Sequence, residues 1–214
     1  QIDRTSPITE NYLVSFFGRI NYTFKEKYLL TFTIRDDGSS RFSKDNRWGL
    51  FPSAALAWKI KDESFLKGVS AISNLKLRLG WGVTGQQDIS QGDYPYQAQY
   101  ITSATGNYYI IDGQYIPTLR PEPYDPNIKW EETTTQNVGL DFGLFNERIT
   151  GSVELYKRVT DDLINNVTIP TGSNFKNELV TNVGSLENKG VELSLNLVPI
   201  SKKDMSLNIG FNLT

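Results

Sequence analysis

Glycine spacing offers the first candidate for chemistry. Gly80-Trp81-Gly82-Val83-Thr84-Gly85 has the G-x-G-x-x-G spacing of a turn that lets a backbone approach a pyrophosphate. Such a turn needs a helix whose N-terminus faces the anion, and Gln86-Gln87-Asp88-Ile89-Ser90-Gln91-Gly92 has no amphipathic pattern to form one. Glycines on the inward face of a strand instead leave room for side chains inside a lumen. Acidic pairs occur at Asp36-Asp37, Asp62-Glu63, Glu131-Glu132 and Asp161-Asp162. A glycosidase needs two carboxylates facing each other across a cleft, whereas neighbours in a strand point to opposite faces. Asp36-Asp37-Gly38 lacks the spaced oxygen ligands and terminal Glu of a calcium loop. The sequence has no histidine and no cysteine, which removes the usual general base, the thiolate nucleophile and the commonest metal ligands. No catalytic, cofactor-binding or metal-binding residue is therefore assigned, and the chain does not read as an enzyme.

One group of residues has a plausible ligand role. Tyr94, Tyr96, Tyr100, Tyr108, Tyr109 and Tyr115 fall in a single long polar stretch. Their rings could stack on the apolar faces of sugars or form rigid contacts to a partner protein. The plainer alternative is a loop whose tyrosines pack on one another.

These residues must be positioned by strands. From Tyr12 to Phe24, Tyr12, Val14, Phe16, Gly18, Ile20, Tyr22 and Phe24 alternate with Leu13, Ser15, Phe17, Arg19, Asn21 and Thr23, giving one apolar and one mostly polar face. Tyr28, Leu30, Phe32 and Ile34 continue the pattern after Lys25-Glu26-Lys27. Trp48, Leu50, Ala54, Leu56, Trp58 and Ile60 are in phase, although Pro52 removes one ladder donor. Leu75, Leu77, Leu79, Trp81 and Val83 alternate with Lys76, Arg78, Gly80 and Gly82. Later series begin at Val138, Ile149, Val191 and Leu207, for a total of about eight strands.

Connection lengths also alternate. Lys25-Glu26-Lys27, Asn146-Glu147-Arg148 and residues 199–204 are tight, and residues 61–74 are moderate, with a short helix expected around 64–67. Residues 36–47, 84–133 and 159–190 are long and rich in Gly, Asn, Asp, Ser and Tyr. Short turns at one rim, long loops at the other and aromatic residues near both describe a transmembrane β-barrel of the outer membrane. Tyr22, Phe24, Tyr28 and Trp58 would form one aromatic girdle, Trp48 and Trp81 the other. The alternative is a soluble carbohydrate-binding β-sandwich, in which the apolar face would be buried by a second sheet.

Charge and length agree with either architecture. The 214 residues carry a formal net charge of −2 with a sequence pI of about 5.3, without the basic excess that nucleic acid would demand. No apolar run approaches the roughly 20 residues of a spanning helix. The chain opens at Gln1 without a signal-peptide pattern and closes in strand-like sequence, so both ends are expected to be cuts within a longer polypeptide.

Several strings resemble the barrel of SusC/RagA-type TonB-linked outer-membrane transporters. Gly18-Arg19-Ile20-Asn21-Tyr22, Lys27-Tyr28-Leu29-Leu30 and Arg35-Asp36-Asp37-Gly38-Ser39-Ser40-Arg41-Phe42 come first. Trp48-Gly49-Leu50-Phe51-Pro52-Ser53-Ala54 and Leu75-Lys76-Leu77-Arg78-Leu79-Gly80, leading into Gly82-Val83-Thr84-Gly85-Gln86-Gln87, continue in family order. Pro126-Asn127-Ile128-Lys129-Trp130-Glu131, Asn137-Val138-Gly139-Leu140-Asp141-Phe142 and Asn188-Lys189-Gly190-Val191-Glu192-Leu193 complete the series. The resemblance implies that residues 1–214 are a partial all-β barrel domain, an antiparallel up-and-down meander without its plug and remaining strands. It implies a multi-pass barrel in the cell outer membrane that imports oligosaccharides or peptides. Its partners would be outer-membrane lipid, TonB, a SusD-like surface lipoprotein and the substrate, with no cofactor. Residues 88–123 match no family string and are expected to vary with substrate.

Three structural expectations follow. The apolar set, including Val14, Phe16, Ile20, Leu30, Leu79, Leu140 and Phe211, should share one accessible convex face. Arg19, Asn21, Thr31, Arg78, Asp141, Glu154, Glu192 and Asn208 should share the other. Leu79→Arg should be costly, and Arg78→Gln nearly neutral for folding.

Overall fold

The computed structural model describes residues 10–89, 92–102, 108–170, 172 and 176–214. Alternation becomes strand wherever it was strongest. The long strands are β1 (Leu13–Phe24), β2 (Tyr28–Ser39), β3 (Trp48–Lys59) and β4 (Ile72–Gln86), then β9 (Glu131–Leu144), β10 (Ile149–Asp161), β13 (Ser185–Lys202) and β14 (Met205–Leu213). They form one eight-stranded sheet in the order β1-β2-β3-β4-β9-β10-β13-β14, and every pair is antiparallel. Each long strand thus pairs with the next long strand in the chain, which is an up-and-down meander. Short strands fold within the long connections: β5 (Tyr100–Thr102) with β8 (Leu119–Pro121), β6 (Tyr108–Ile111) with β7 (Gln114–Pro117), and β11 (Ile164–Thr168) with β12 (Glu178–Asn182).

Register places like residues on like faces. One row crosses all eight strands as Phe24, Tyr28, Trp58, Leu77, Leu140, Val153, Leu193 and Leu213, each facing the next. An adjacent row on the opposite face runs Thr23, Leu29, Ala57, Arg78, Gly139, Glu154 and Glu192. A one-residue slip anywhere would exchange the two faces, so the apolar rows hold the register.

Among the described residues, no second layer covers the apolar face. Val14, Phe16, Ile20, Leu30, Phe32, Leu79, Leu140, Ile209 and Phe211 are all exposed, Ile20 at 67% and Phe16 at 63%. Leu77, Phe142, Leu193 and Leu195 are half-buried by their own neighbours. The buried hydrophobic side chains among the described residues are Phe42, Phe51, Ile89, Ile128 and Trp130, gathered at the long-loop rim. A soluble sandwich would bury the strand face instead, so that alternative is set aside.

The short-turn rim differs from expectation in two places. The helix expected around 64–67 is a 3-10 turn at Ile60–Asp62, followed by a turn in which the Lys67 N–H bonds the Glu63 carbonyl at 3.1 Å. Residues 199–202, expected to lie in a turn, continue β13, and only Lys203-Asp204 turns. The register shifts between Leu197 and Ile200, which lets Pro199 sit at an irregularity without breaking a regular rung. Lys25 and Glu26 adopt positive φ, 51° and 57°, as a tight hairpin with the twist of its strands requires. In the following connection the Glu63 carboxylate accepts from Lys27 Nζ (2.9 Å), Tyr28 OH (2.7 Å) and Trp58 Nε1 (3.1 Å). Those donors, Lys27 foremost, lower its pKa to about 2.

Candidate functional site

The polar face is built from interlocked side chains. Arg78 donates through Nε to Asp141 at 3.0 and 3.1 Å and through Nη2 to Glu154 at 3.1 Å. Lys76 pairs with Asp141 at 2.8 Å, and Asn137 donates to Glu154 at 3.0 Å. These side chains lie flat across neighbouring strands, and glycine makes that possible. A Cβ at Gly139 would stand 2.8 Å from the Arg78 guanidinium, and one at Gly80 would collide with Asn137. The spaced glycines of β4 therefore lie inside a strand, not at a phosphate-binding turn. The space they leave is filled by side chains of the same sheet.

At the long-loop rim three connections are tied together. Phe51, on the polar face of β3, and Trp130 contact edge to face at 5.4 Å between ring centroids, and Phe42 packs on Trp130 at 5.1 Å. Trp130 Nε1 donates to the Arg47 carbonyl at 3.1 Å, and Asn46 Nδ2 donates to the Asn127 carbonyl at 2.8 Å. The β11–β12 hairpin is held to the preceding loop by Thr181 donating to Asp125 (2.5 Å) and by the Lys129–Asp162 ion pair (2.6 Å). A Cβ at Gly85 would enter the Phe51 ring, so this packing requires glycine there. Periodicity gave no sign of this cluster, because Phe51 lies on the polar face of β3 and the other members come from separate irregular segments. The signal available was that Phe42, Phe51, Ile128 and Trp130 all belong to family strings.

Beneath the cluster lies a recess of about 440 Å³, walled by Leu13, Thr33, Arg35, Asp37, Phe51, Ser53, Thr135 and Trp130 among others. Arg35 Nε donates to Asp37 at 2.7 Å and Arg35 Nη2 to Ser15 Oγ at 3.2 Å. Asp36 and Asp37 do point apart, and Asp37 is buried while Asp36 is not.

The six tyrosines do not form one cluster. Tyr94 and Tyr96 meet edge to face at 6.3 Å; the Tyr94 hydroxyl donates to the Glu10 carbonyl, and Tyr96 packs against the buried cluster. Tyr100 lies on β5. Tyr108 and Tyr115 face each other across the β6–β7 hairpin at 5.9 Å, with Tyr109 on the same hairpin. Asp112-Gly113, both at positive φ, make its turn. Tyr100, Tyr108, Tyr109 and Tyr115 are exposed, as are Ile110, Ile111 and Leu119.

A meander with an uncovered apolar face, a polar face of side-chain networks, short turns at one rim and loops folded over the other is a section of transmembrane β-barrel wall. The chain matches the family described as TonB dependent receptor-like, beta-barrel over residues 2–214, and it belongs to that family, which implies the outer membrane. It is similar to TonB-dependent receptor SusC of Bacteroides thetaiotaomicron, 53% identical over 99% of this chain and 21% of the relative. It is also similar to TonB-dependent receptor P39 of Formosa agariphila, 40% identical over 95% of this chain and 19% of the relative. Among solved structures, the RagAB peptide transporter superposes with a TM-score of 0.82 at 32% identity, covering 94% of this chain and 21% of that one. The siderophore receptor PirA of Pseudomonas aeruginosa shares the fold at 15% identity and a TM-score of 0.53. The chain thus spans about a fifth of the length of these SusC and RagAB relatives.

Proposed function

We propose that residues 1–214 are one partial barrel domain of an outer-membrane importer that takes up oligosaccharides or peptides with energy delivered through TonB. The observation that carries this reading is the 53% identity to SusC across 99% of the chain, joined to the match to the RagAB peptide transporter. In this reading the exposed apolar rows lie against lipid as a multi-pass barrel, the polar face lines the lumen, and a SusD-like surface lipoprotein sits over the long loops. Deleting the full-length gene should abolish uptake of its substrate mixture, and removing TonB should do the same with the protein still in the membrane. Uptake that persists in either strain would reject the importer.

The β6–β7 tyrosines are the proposed contact to substrate or lipoprotein, supported by their exposure at the long-loop rim. Replacing Tyr108 and Tyr109 with alanine should weaken capture of ligand or lipoprotein while barrel assembly stays normal. Unchanged capture and uptake would remove these residues from the site.

A further inference from the structure

We propose that Lys157 and Lys189 hold a phosphate of the acylated glycolipid of the outer leaflet, with an acyl chain of that lipid in the groove beside them. The inference rests on the outer-membrane importer reading and adds a lipid site to it. From Ile149 to Leu155 on β10 and from Leu197 to Val191 on β13, every residue that faces lipid is apolar or glycine. The next on each strand is lysine. Lys157 and Lys189 stand directly opposite each other, on the side of Leu155 and Val191, where like charges repel. Both reach the Glu187 carboxylate, at 3.0 and 3.4 Å, so one negative charge serves two positive ones. A net positive charge is left where the apolar band ends. Lys157 also continues the row of Trp81 and Gln136, and Trp81 belongs to the aromatic girdle on the long-loop side.

A groove of about 700 Å³ adjoins the pair. Leu79, Val138, Leu155 and Val191 form one wall and Gln136, Lys157 and Lys189 the other, while the row between them, whose side chains turn to the lumen, supplies the floor. The groove therefore opens on the lipid side. Leu79, Val138, Leu155 and Lys157 lie on strands paired on both sides, so register fixes the face that each presents. A hydrocarbon chain alone would leave the surplus charge unpaired, and a free anion would leave the apolar wall uncovered. An amphiphile with a phosphate at the head of its acyl chains answers both, since ammonium groups bind phosphate through charge-assisted hydrogen bonds. In the importer reading the long loops face outward. The leaflet at this end of the strands is then the outer one, whose lipid is a phosphorylated, acylated glycolipid.

The test uses the full-length protein, delipidated in detergent and titrated with lipid A, with the same lipid A stripped of its phosphate, and with phosphatidylglycerol, bound lipid being counted by native mass spectrometry. Removing the phosphate should weaken binding roughly tenfold, the scale of one charge-assisted contact. Lys157→Gln combined with Lys189→Gln should lower affinity for lipid A by the same factor and leave affinity for the stripped lipid unchanged. Glu187→Gln frees both lysines and should tighten lipid A binding, which keeps the site testable where the double variant fails to assemble. Equal binding of intact and stripped lipid A, unchanged affinity in the double variant, or no gain in Glu187→Gln overturns the site. Phosphatidylglycerol bound as tightly as lipid A overturns the glycolipid assignment. TonB-dependent uptake should be normal in the double variant, so failure of the lipid site leaves the importer standing. Uptake that persists without TonB defeats the importer reading itself.

Discussion

Arg78 shows how a polar face acquires structure of its own. Read from alternation, it was a solvated luminal cation whose loss should scarcely matter for folding. It instead bridges Asp141 and Glu154 across three strands while lying over Gly139. Arg78→Gln would leave those two carboxylates facing each other with only Lys76 to balance them. The expected cost is about 1 kcal/mol after discounting for partial exposure, measurable as a lower urea midpoint for unfolding from lipid vesicles. Asp141→Asn in the same background should recover part of the loss by removing one repelling charge. Additive losses would show that the two residues act independently.

At the scale of elements, the two rims are fastened by different means. On the short-turn rim, Glu63 ties the connection after β3 to Lys27 in the first turn and to the girdle rings Tyr28 and Trp58, which stack at 6.2 Å. Its pKa falls from the ordinary 4.5 to about 2, so the folded state favours the carboxylate. The stabilisation is complete above pH 4.5 and is lost as pH falls from there toward 2. Glu63→Gln should therefore lower thermal stability at neutral pH and flatten its dependence on acid in that window, as followed by heat-modified electrophoretic mobility. At the other rim, the Phe42–Phe51–Trp130 cluster holds loops that would otherwise move separately. Trp130→Ala should cost about 3–5 kcal/mol locally, seen as rapid proteolytic nicking of the long loops in a barrel that still resists denaturation. Equal protease resistance in the variant would mean that the loops are fastened elsewhere.

Across the whole molecule, solvent decides which face is inside. Water would drive the apolar rows into a core, but lipid offers them an equivalent environment, and the polar rows are left to enclose the lumen. Leu79 belongs to an apolar row running from Tyr22 through Leu30, Leu56, Leu79, Val138 and Leu155 to Val191. Leu79→Arg should cost about 2–4 kcal/mol in lipid if the residue lies near the midplane, and less near an interface. Measured beside Arg78→Gln in the same vesicles, it should be the more harmful change. The reverse order would mean that the faces are exchanged.

The eight long strands, their alternation and the meander's order were legible in the sequence, whereas the six short strands inside the long connections were not. Period-two alternation is a local property of the pleat, and eight alternating runs with short and long connections leave few ways to pair. The expectation that Leu79 and Phe16 would be accessible needed more than alternation, which a β-sandwich shares; it came from the short and long connections, the aromatic residues near both rims and the family strings. Alternation could not show what Arg78 or Phe51 would touch, because each contact joins strands or loops whose proximity exists only after the sheet has formed. The tyrosines illustrate the limit most clearly. Their shared loop suggested a single cluster, but pairing of β5 with β8 and β6 with β7 sent Tyr96 to the buried rim and Tyr109 to the surface. Residue type and spacing determine which faces a strand can offer. The long-range backbone pairing of irregular segments determines which side chains meet, and only the tertiary structure supplies it.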